Sequence, residues 1–395
     1  MNKRSHVLAM PRFLARIPVL GAIAAMAVLI GCSFGVVDDP AGNAIPGAFV
    51  SYRVANLSGT TTGPVSLGST SWTFAWSPGD PGSGGVNGIF YLNPWGTLNA
   101  GDTRTTFTGA GWTRIFSTKV GYDSRFIYHN RQFTSCGIAQ NQGPYSAGPY
   151  PYSDTGASID GLCAFDAITL RPSNTNYTKD PDMIVDARTL RDNARATGAS
   201  CEGSGNTCLR VSVGTANVGE GDLWVVGNSN VNANKQRRFF RNGGFSETAL
   251  PNAVFLFHPS HGHIHLQNWT NLRLRQFASN CNTEATATNC PVVGSPGQKI
   301  SFCLTDLATF DTAYTPNQGY GCTFDSVTGA ISQGIGSGHE DIYSRGLPGQ
   351  VIGTDGLAPG TYWLEVEVNP ANVNGQRSVI ESDYSNNITR VQVTL

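Results

Sequence analysis

Apolar and polar residues alternate in short runs along most of this chain. Examples are Ala48-Phe49-Val50-Ser51-Tyr52-Arg53, Ile89-Phe90-Tyr91-Leu92, Cys208-Leu209-Arg210-Val211-Ser212-Val213 and Leu223-Trp224-Val225-Val226. Ile300-Ser301-Phe302-Cys303-Leu304 and Thr361-Tyr362-Trp363-Leu364-Glu365-Val366-Glu367-Val368 continue the series. A period of two sends successive side chains to opposite faces, so each run predicts a strand. Gly, Pro, Asn and Asp punctuate the runs and predict turns. Only Asp186 to Ala196 admits a helix, and it reads equally well as a strand and a loop. The expected fold is mostly β. A small N-terminal β-sandwich covers 33–135, a Gly/Pro/Ser/Tyr-rich linker 136–180, and a larger antiparallel β domain with long loops and disulfides 181–395. The domain boundary falls in the run NQGPYSAGPYPYSDTGAS, which begins at Asn141 and has no apolar period.

Before the first strand the pattern is of another kind. Lys3, Arg4, Arg12 and Arg16 precede the apolar run IPVLGAIAAMAVLIG at 17–31, which is short for a membrane span and reads as a secretory signal peptide over 1–31. The run ends in Leu29-Ile30-Gly31-Cys32, which resembles a bacterial lipobox; the resemblance implies cleavage before Cys32 and a lipid on its thiol. The alternative is an uncleaved anchor or a buried Cys. The expected location is therefore that of an exported lipoprotein, held at the outer membrane or cell surface. Ser33 after the Cys favours outer-membrane sorting where the source has such a membrane.

Composition narrows the reading further. Only 13% of residues are charged, against 47 Gly and 21 Pro, which disfavours coiled coils and helical repeats. The formal net charge is -1, with no block of like charge, so no nucleic-acid partner is expected. Removing residues 1–31 takes away four basic and no acidic residues, leaving 22 against 27 and a net charge of -5. Of the 26 basic residues only five are Lys, so Lys299 stands out. Eight Cys remain after Cys32, an even number in an exported chain, which predicts disulfides rather than thiolate metal ligands. Of the roughly 105 possible connectivities, the economical one joins nearest neighbours: Cys201–Cys208, Cys281–Cys290, Cys136–Cys163 and Cys303–Cys322.

Four of the seven His fall in His258-Pro259-Ser260-His261-Gly262-His263-Ile264-His265. In an extended segment His261, His263 and His265 share a face, and neutral imidazoles suit Cu, Zn, Fe or Ni. At roughly 3.3 Å per residue the outer two lie about 13 Å apart, so a single ion demands a bend, for which Gly262 is suited. A surface His ladder or a structural zinc site would leave the same pattern.

The cluster, with Phe257 before it, resembles the copper-binding segment of the lysyl oxidase family. Three further stretches follow in the family's order: Gly297-Gln298-Lys299-Ile300-Ser301-Phe302-Cys303-Leu304; Gly338-His339-Glu340-Asp341-Ile342-Tyr343; and Val368-Asn369-Pro370 with Glu381-Ser382-Asp383-Tyr384-Ser385-Asn386-Asn387. The resemblance spans about residues 180 to 395. It implies Cu(II) held by His261, His263 and His265, with His258 as a further candidate. It also implies a lysine tyrosylquinone built from Lys299 and Tyr343, and oxidation of a primary amine or protein lysine by O2. A non-catalytic, exported metal-binding β module is the rival. Asp341, two residues before Tyr343, is the candidate base, and Asp306 its competitor. By the same resemblance Asp182, Met183, Glu381, Asp383, Asn386 and Asn387 would bind Ca²⁺; without it, the Asx-rich stretch reads equally as a turn.

This sequence departs from animal members at Gln298, Ser260 and Thr309. The last two replace disulfide Cys, leaving Cys303 and Cys322 to bond to each other. The N-terminal stretches Asp39-Pro40-Ala41-Gly42-Asn43-Ala44-Ile45-Pro46-Gly47-Ala48, Asn87-Gly88-Ile89-Phe90 and Lys119-Val120-Gly121-Tyr122 resemble transthyretin-like carboxypeptidase regulatory domains, which implies a presentation module without chemistry.

Overall fold

The computed structural model describes residues 33–57, 59–60, 62–68, 71–75, 89–92, 112–130, 168–258, 262–282, 286–297 and 301–395. The leader, Cys32, the Cys136–Cys163 pair, the linker up to residue 167, His261 and Lys299 lie outside them. No helix among the described residues is long and apolar enough to cross a membrane. The chain divides into two compact units, 1–54 with 69–175, and 55–68 with 176–395.

The described residues of the first unit form two small sheets. In one, Ser33–Asp38 pairs antiparallel with Ile89–Leu92 and parallel with Ile168–Thr169. In the other, Phe49–Asn56 pairs antiparallel with Ser71–Phe74 and Trp112–Thr118, and the latter with Arg125–Asn130. Val37, Val50, Ile115, Ile168 and Leu170 from both sheets bury into a shared apolar core, as alternation along the strands dictates. Two details differ from the sequence-based boundaries. Residues 168–175, assigned above to the linker, belong to this unit, because Ile168–Thr169 closes its sheet edge. Residues 55–68 belong to the second unit, where Leu57 and Val65 are buried and the Val65 N–H donates to the Phe310 carbonyl at 2.7 Å.

The second unit is antiparallel throughout its named pairs. One sheet places Thr361–Val368 between Thr270–Gln276 and Ile388–Thr394. Its register sets Glu365 opposite both Arg273 and Arg390. With Arg275, three guanidiniums enclose this fully buried carboxylate. A second sheet carries Val213–Asn217 against His339–Tyr343, and a third carries Leu223–Asn228 against Ala330–Ile335. The ambiguous stretch from Asp186 resolves into both of its readings. Asp186 caps a short helix, Ala187–Arg191, by accepting from the Arg188 N–H, and the strand Asn193–Thr197 follows.

Three of the four expected disulfides are present: Cys201–Cys208, Cys281–Cys290 and Cys303–Cys322, with Cα–Cα separations of 5.6, 5.8 and 5.6 Å. These separations are ordinary for a bridged pair.

Candidate functional site

The His cluster folds as a hairpin. Phe255–His258 pairs with His263–Leu266, and Gly262, at φ 70°, donates its N–H to the His258 carbonyl at 2.9 Å. A positive φ suits glycine, so the bend expected at Gly262 is a full reversal of the chain. Cross-strand pairing of His258 with His263 and of Leu256 with His265 puts three imidazoles on one face. The His265 ring is 4.2 Å from that of His258 and 4.8 Å from that of His263, centroid to centroid. His265 is fully buried, with Nδ1 3.3 Å from Ser301 Oγ.

Tyr343 ends its strand beside this hairpin. Its ring stands edge-on to His265 at 6.5 Å and to Phe302 at 4.2 Å. Its hydroxyl oxygen accepts the Cys303 N–H at 2.7 Å. Cys303 lies four residues beyond Lys299 in the sequence. Burial pushes the Tyr343 phenol well above its usual range; the Asp341 charge adds to the rise, and the Cys303 N–H opposes it. Asp341 is buried on the same strand face as Tyr343, as their spacing predicts. Asp306 is committed elsewhere, accepting the Gly336 and Tyr320 N–H groups at 2.8 and 3.0 Å. Of the two candidate bases, Asp341 is the one that stands by the tyrosine.

The segment around Phe302 contains a residue that sequence reading missed. Residues 301–304 make one ladder step, in which Leu266 and Phe302 exchange N–H···O bonds at 2.7 and 3.1 Å, rather than the strand their alternation predicts. At the next step the fully buried Gln333 intervenes: Nε2 donates to the Ile264 carbonyl at 2.8 Å and Oε1 accepts the Leu304 N–H at 3.1 Å. Gln333 belongs to no motif and is distant in sequence from both partners, so only tertiary contact reveals it. Ser301 stands within one of the quoted stretches but was given no role there.

The C-terminal oxygen cluster also assembles. Met183 donates its N–H to Glu381 Oε2 at 2.7 Å, and the Asn386 amide donates to Asp182 Oδ1 at 2.9 Å, joining the two ends of the domain. Asn369 and Asn387 both donate to Glu381 Oε1. Burial pushes the Glu381 carboxyl up to about 8 against these hydrogen bonds, and the Asp182 charge adds to the rise. Asp383 is half-buried and accepts the Ser385 N–H at 2.7 Å. The buried Oδ1 atoms of Asn386 and Asn387 have no hydrogen-bond partner among the described residues. Buried carboxylates with spare amide oxygens fit a hard cation.

Among the described residues no three His, Cys, Asp or Glu side chains gather their donor atoms for a metal ion, and His261 stands outside them. The chemistry of the hairpin still fits copper, since three adjacent imidazoles on one face are the donor type that this metal prefers.

Residues 246–395, which hold the hairpin, Tyr343 and the C-terminal cluster, match the family model for lysyl oxidase. The chain is 37% identical over 97 residues to the protein-lysine 6-oxidase of Sus scrofa, covering 25% of this chain and 33% of that protein. It is 39% identical over 97 residues to that of Gallus gallus, covering 25% and 20%, and 35% identical to lysyl oxidase homolog 1 of Homo sapiens over a like stretch, covering 25% and 14%. The matched stretch spans a third or less of each relative. The family match and these relatives together place this chain's similarity to the lysyl oxidase family in residues 246–395.

Proposed function

We propose that the second unit is a copper- and quinone-dependent amine oxidase, in which a primary amine or peptidyl lysine, O2 and water give aldehyde, ammonia and hydrogen peroxide. The observation that carries this reading is the Cys303 N–H bond to the Tyr343 hydroxyl, made beside His265. It draws three motifs separated in sequence to one buried place. His261, His263 and His265 would hold the copper, with His258 stacked on His265. Copper there would supply the redox centre for oxidising the Tyr343 ring with O2, and the quinone joined to Lys299 would supply the electron sink for amine oxidation.

The chain's own groups do the rest. Asp341, on the strand face of Tyr343, takes the proton from the amine-bearing carbon. The Cys303 N–H holds the phenol oxygen at a fixed position, and the surrounding Phe302 and His265 rings exclude water from it. The Asp182, Glu381 and Asn386 cluster would take Ca²⁺, clamping the domain ends without entering the chemistry. The segment at 1–31 and Cys32 support an exported, lipid-anchored protein.

The deciding experiment is a tryptic digest of copper-loaded, aerated protein. A cross-linked Lys299–Tyr343 peptide, trappable by a hydrazine, is expected in wild type and absent in Lys299→Arg. If both peptides return linear from fully loaded wild type, the oxidase reading fails and a non-catalytic metal-binding module takes its place.

A further inference from the structure

We propose that Gln333 is the positioning residue that sets the separation between the His hairpin and the segment bearing Cys303. This inference rests on the amine oxidase reading for its functional consequence but not for its geometry. The hairpin strand and residues 301–304 begin an antiparallel ladder at Leu266 and Phe302, which exchange both backbone hydrogen bonds. In a regular ladder the next hydrogen-bonded pair is two residues along each strand, here Ile264 with Leu304. That pair does not meet directly. The Gln333 amide stands between them, donating to the Ile264 carbonyl and accepting the Leu304 N–H. Two hydrogen bonds and an amide therefore occupy the place of one hydrogen bond.

The consequence falls at the candidate site. Ile264 lies between His263 and His265, and Leu304 follows Cys303, whose N–H holds the Tyr343 hydroxyl. The ladder is closed at 266/302 and held open at 264/304, so the amide acts as a spacer between the imidazoles and the tyrosine. The backbone on the far side reinforces this, because the Leu304 carbonyl accepts the Gly334 N–H at 3.1 Å. Leu304 is thus gripped at both polar atoms by consecutive residues of one strand. Gln333 is fully buried, and each end of its amide makes one of these hydrogen bonds. Spacing of this kind matters because misplacing a reacting group by about 1 Å lowers a rate by roughly a hundredfold.

Gln333→Met keeps the length of the side chain and removes both hydrogen-bonding ends. In the full-length variant we expect wild-type circular dichroism and unchanged amide protection at Leu266 and Phe302. Exchange at Leu304 should accelerate by about tenfold or more. With copper alone as probe, bound copper should stay at the wild-type ratio while the Cu(II) electron paramagnetic resonance spectrum shifts. The yield of Lys299–Tyr343 cross-link should fall by about tenfold or more. Gln333→Glu keeps the acceptor for Leu304 and loses the donor to Ile264. It should retain Leu304 protection while altering the copper spectrum, and it serves as the second variant if Met does not fold. A folded Gln333→Met variant with wild-type Leu304 exchange, or either folded variant with an unshifted copper spectrum, overturns the proposal. If wild type yields no cross-link, the oxidase reading fails separately, and the exchange and copper spectra alone decide the role of Gln333.

Discussion

The Tyr343 hydroxyl and the Cys303 backbone N–H are 2.7 Å apart although 40 residues separate them in the chain. This bond fixes the phenol oxygen against a segment that is itself tied to Cys322 by a disulfide and to the hairpin through Leu266.

Replacing Tyr343 by Phe removes the acceptor and leaves a buried N–H without a partner. Chemical unfolding should show a loss of about 1 to 3 kcal/mol. Hydrazine labelling and peroxide release should be abolished together, while bound copper stays as in wild type.

Copper should stabilise the folded protein by mass action. At free copper about 100 times its dissociation constant the gain is about 2.7 kcal/mol, seen as a rise in melting temperature. His263→Ala should remove most of this rise and most of the bound copper. Full copper content in the variant would remove His263 from the ligand set.

The Cys303–Cys322 bridge closes a loop with a sequence separation of 19. The Cys303→Ser/Cys322→Ser double variant should lose about 3 kcal/mol of stability. Its cross-link yield should fall as well, because the anchor beneath the Tyr343 hydroxyl loosens. Equilibrium unfolding with and without reductant provides the check, since wild type under reductant should approach the variant.

Glu365 sits within Arg273, Arg275 and Arg390. Burial raises its pKa, but the Arg275 hydrogen bond and the Arg390 and Arg273 charges outweigh it and leave the carboxyl below its usual range. A carboxyl lowered in the folded state contributes stability that is fully present above its unfolded value, near 4.3, and is lost as pH falls through the folded value. Glu365→Gln should therefore lose about 3 kcal/mol at pH 7, because three half-buried guanidiniums lose this buried counter-charge, Arg273 keeping its contact with Glu367. Its stability should then vary less with pH below about 4 than that of wild type. Urea midpoints at neutral and acid pH measure both effects.

Metabolic labelling with a fatty acid should mark Cys32. In Cys32→Ala the label should vanish and the protein should leave the membrane fraction. A processed, labelled Cys32→Ala protein would overturn the lipid anchor.

Alternation of apolar and polar residues is a local property, and it carried the β class, the antiparallel pairing and most strands of the second unit. The short spacings of Cys201 with Cys208 and Cys281 with Cys290 likewise made their bridges legible, because few residues can intervene. The His cluster was legible as a candidate for the same reason, since its four imidazoles fall within eight residues, whereas Tyr343 was singled out only by resemblance to the lysyl oxidase family. The first limits appear where pairing is long-range. Alternation at 300–304 predicts a strand, yet the partner that ends the ladder there is the side chain of a residue far along the chain.

The amino-acid sequence by itself determined the periodicity of the backbone, the residue types available for metal and quinone chemistry, and the order in which they occur. Those depend on side-chain identity and on spacings of a few residues, which hold in any fold. Tertiary structure alone decided that residues 55–68 join the second unit, that His258 rather than only its downstream neighbours stacks on His265, and that Asp306 is committed to the Gly336 and Tyr320 N–H groups. It also decided that the Gln333 amide separates Ile264 from Leu304. Most of these contacts join residues distant in the chain, and which buried polar groups find a partner is set only once the sheets have packed.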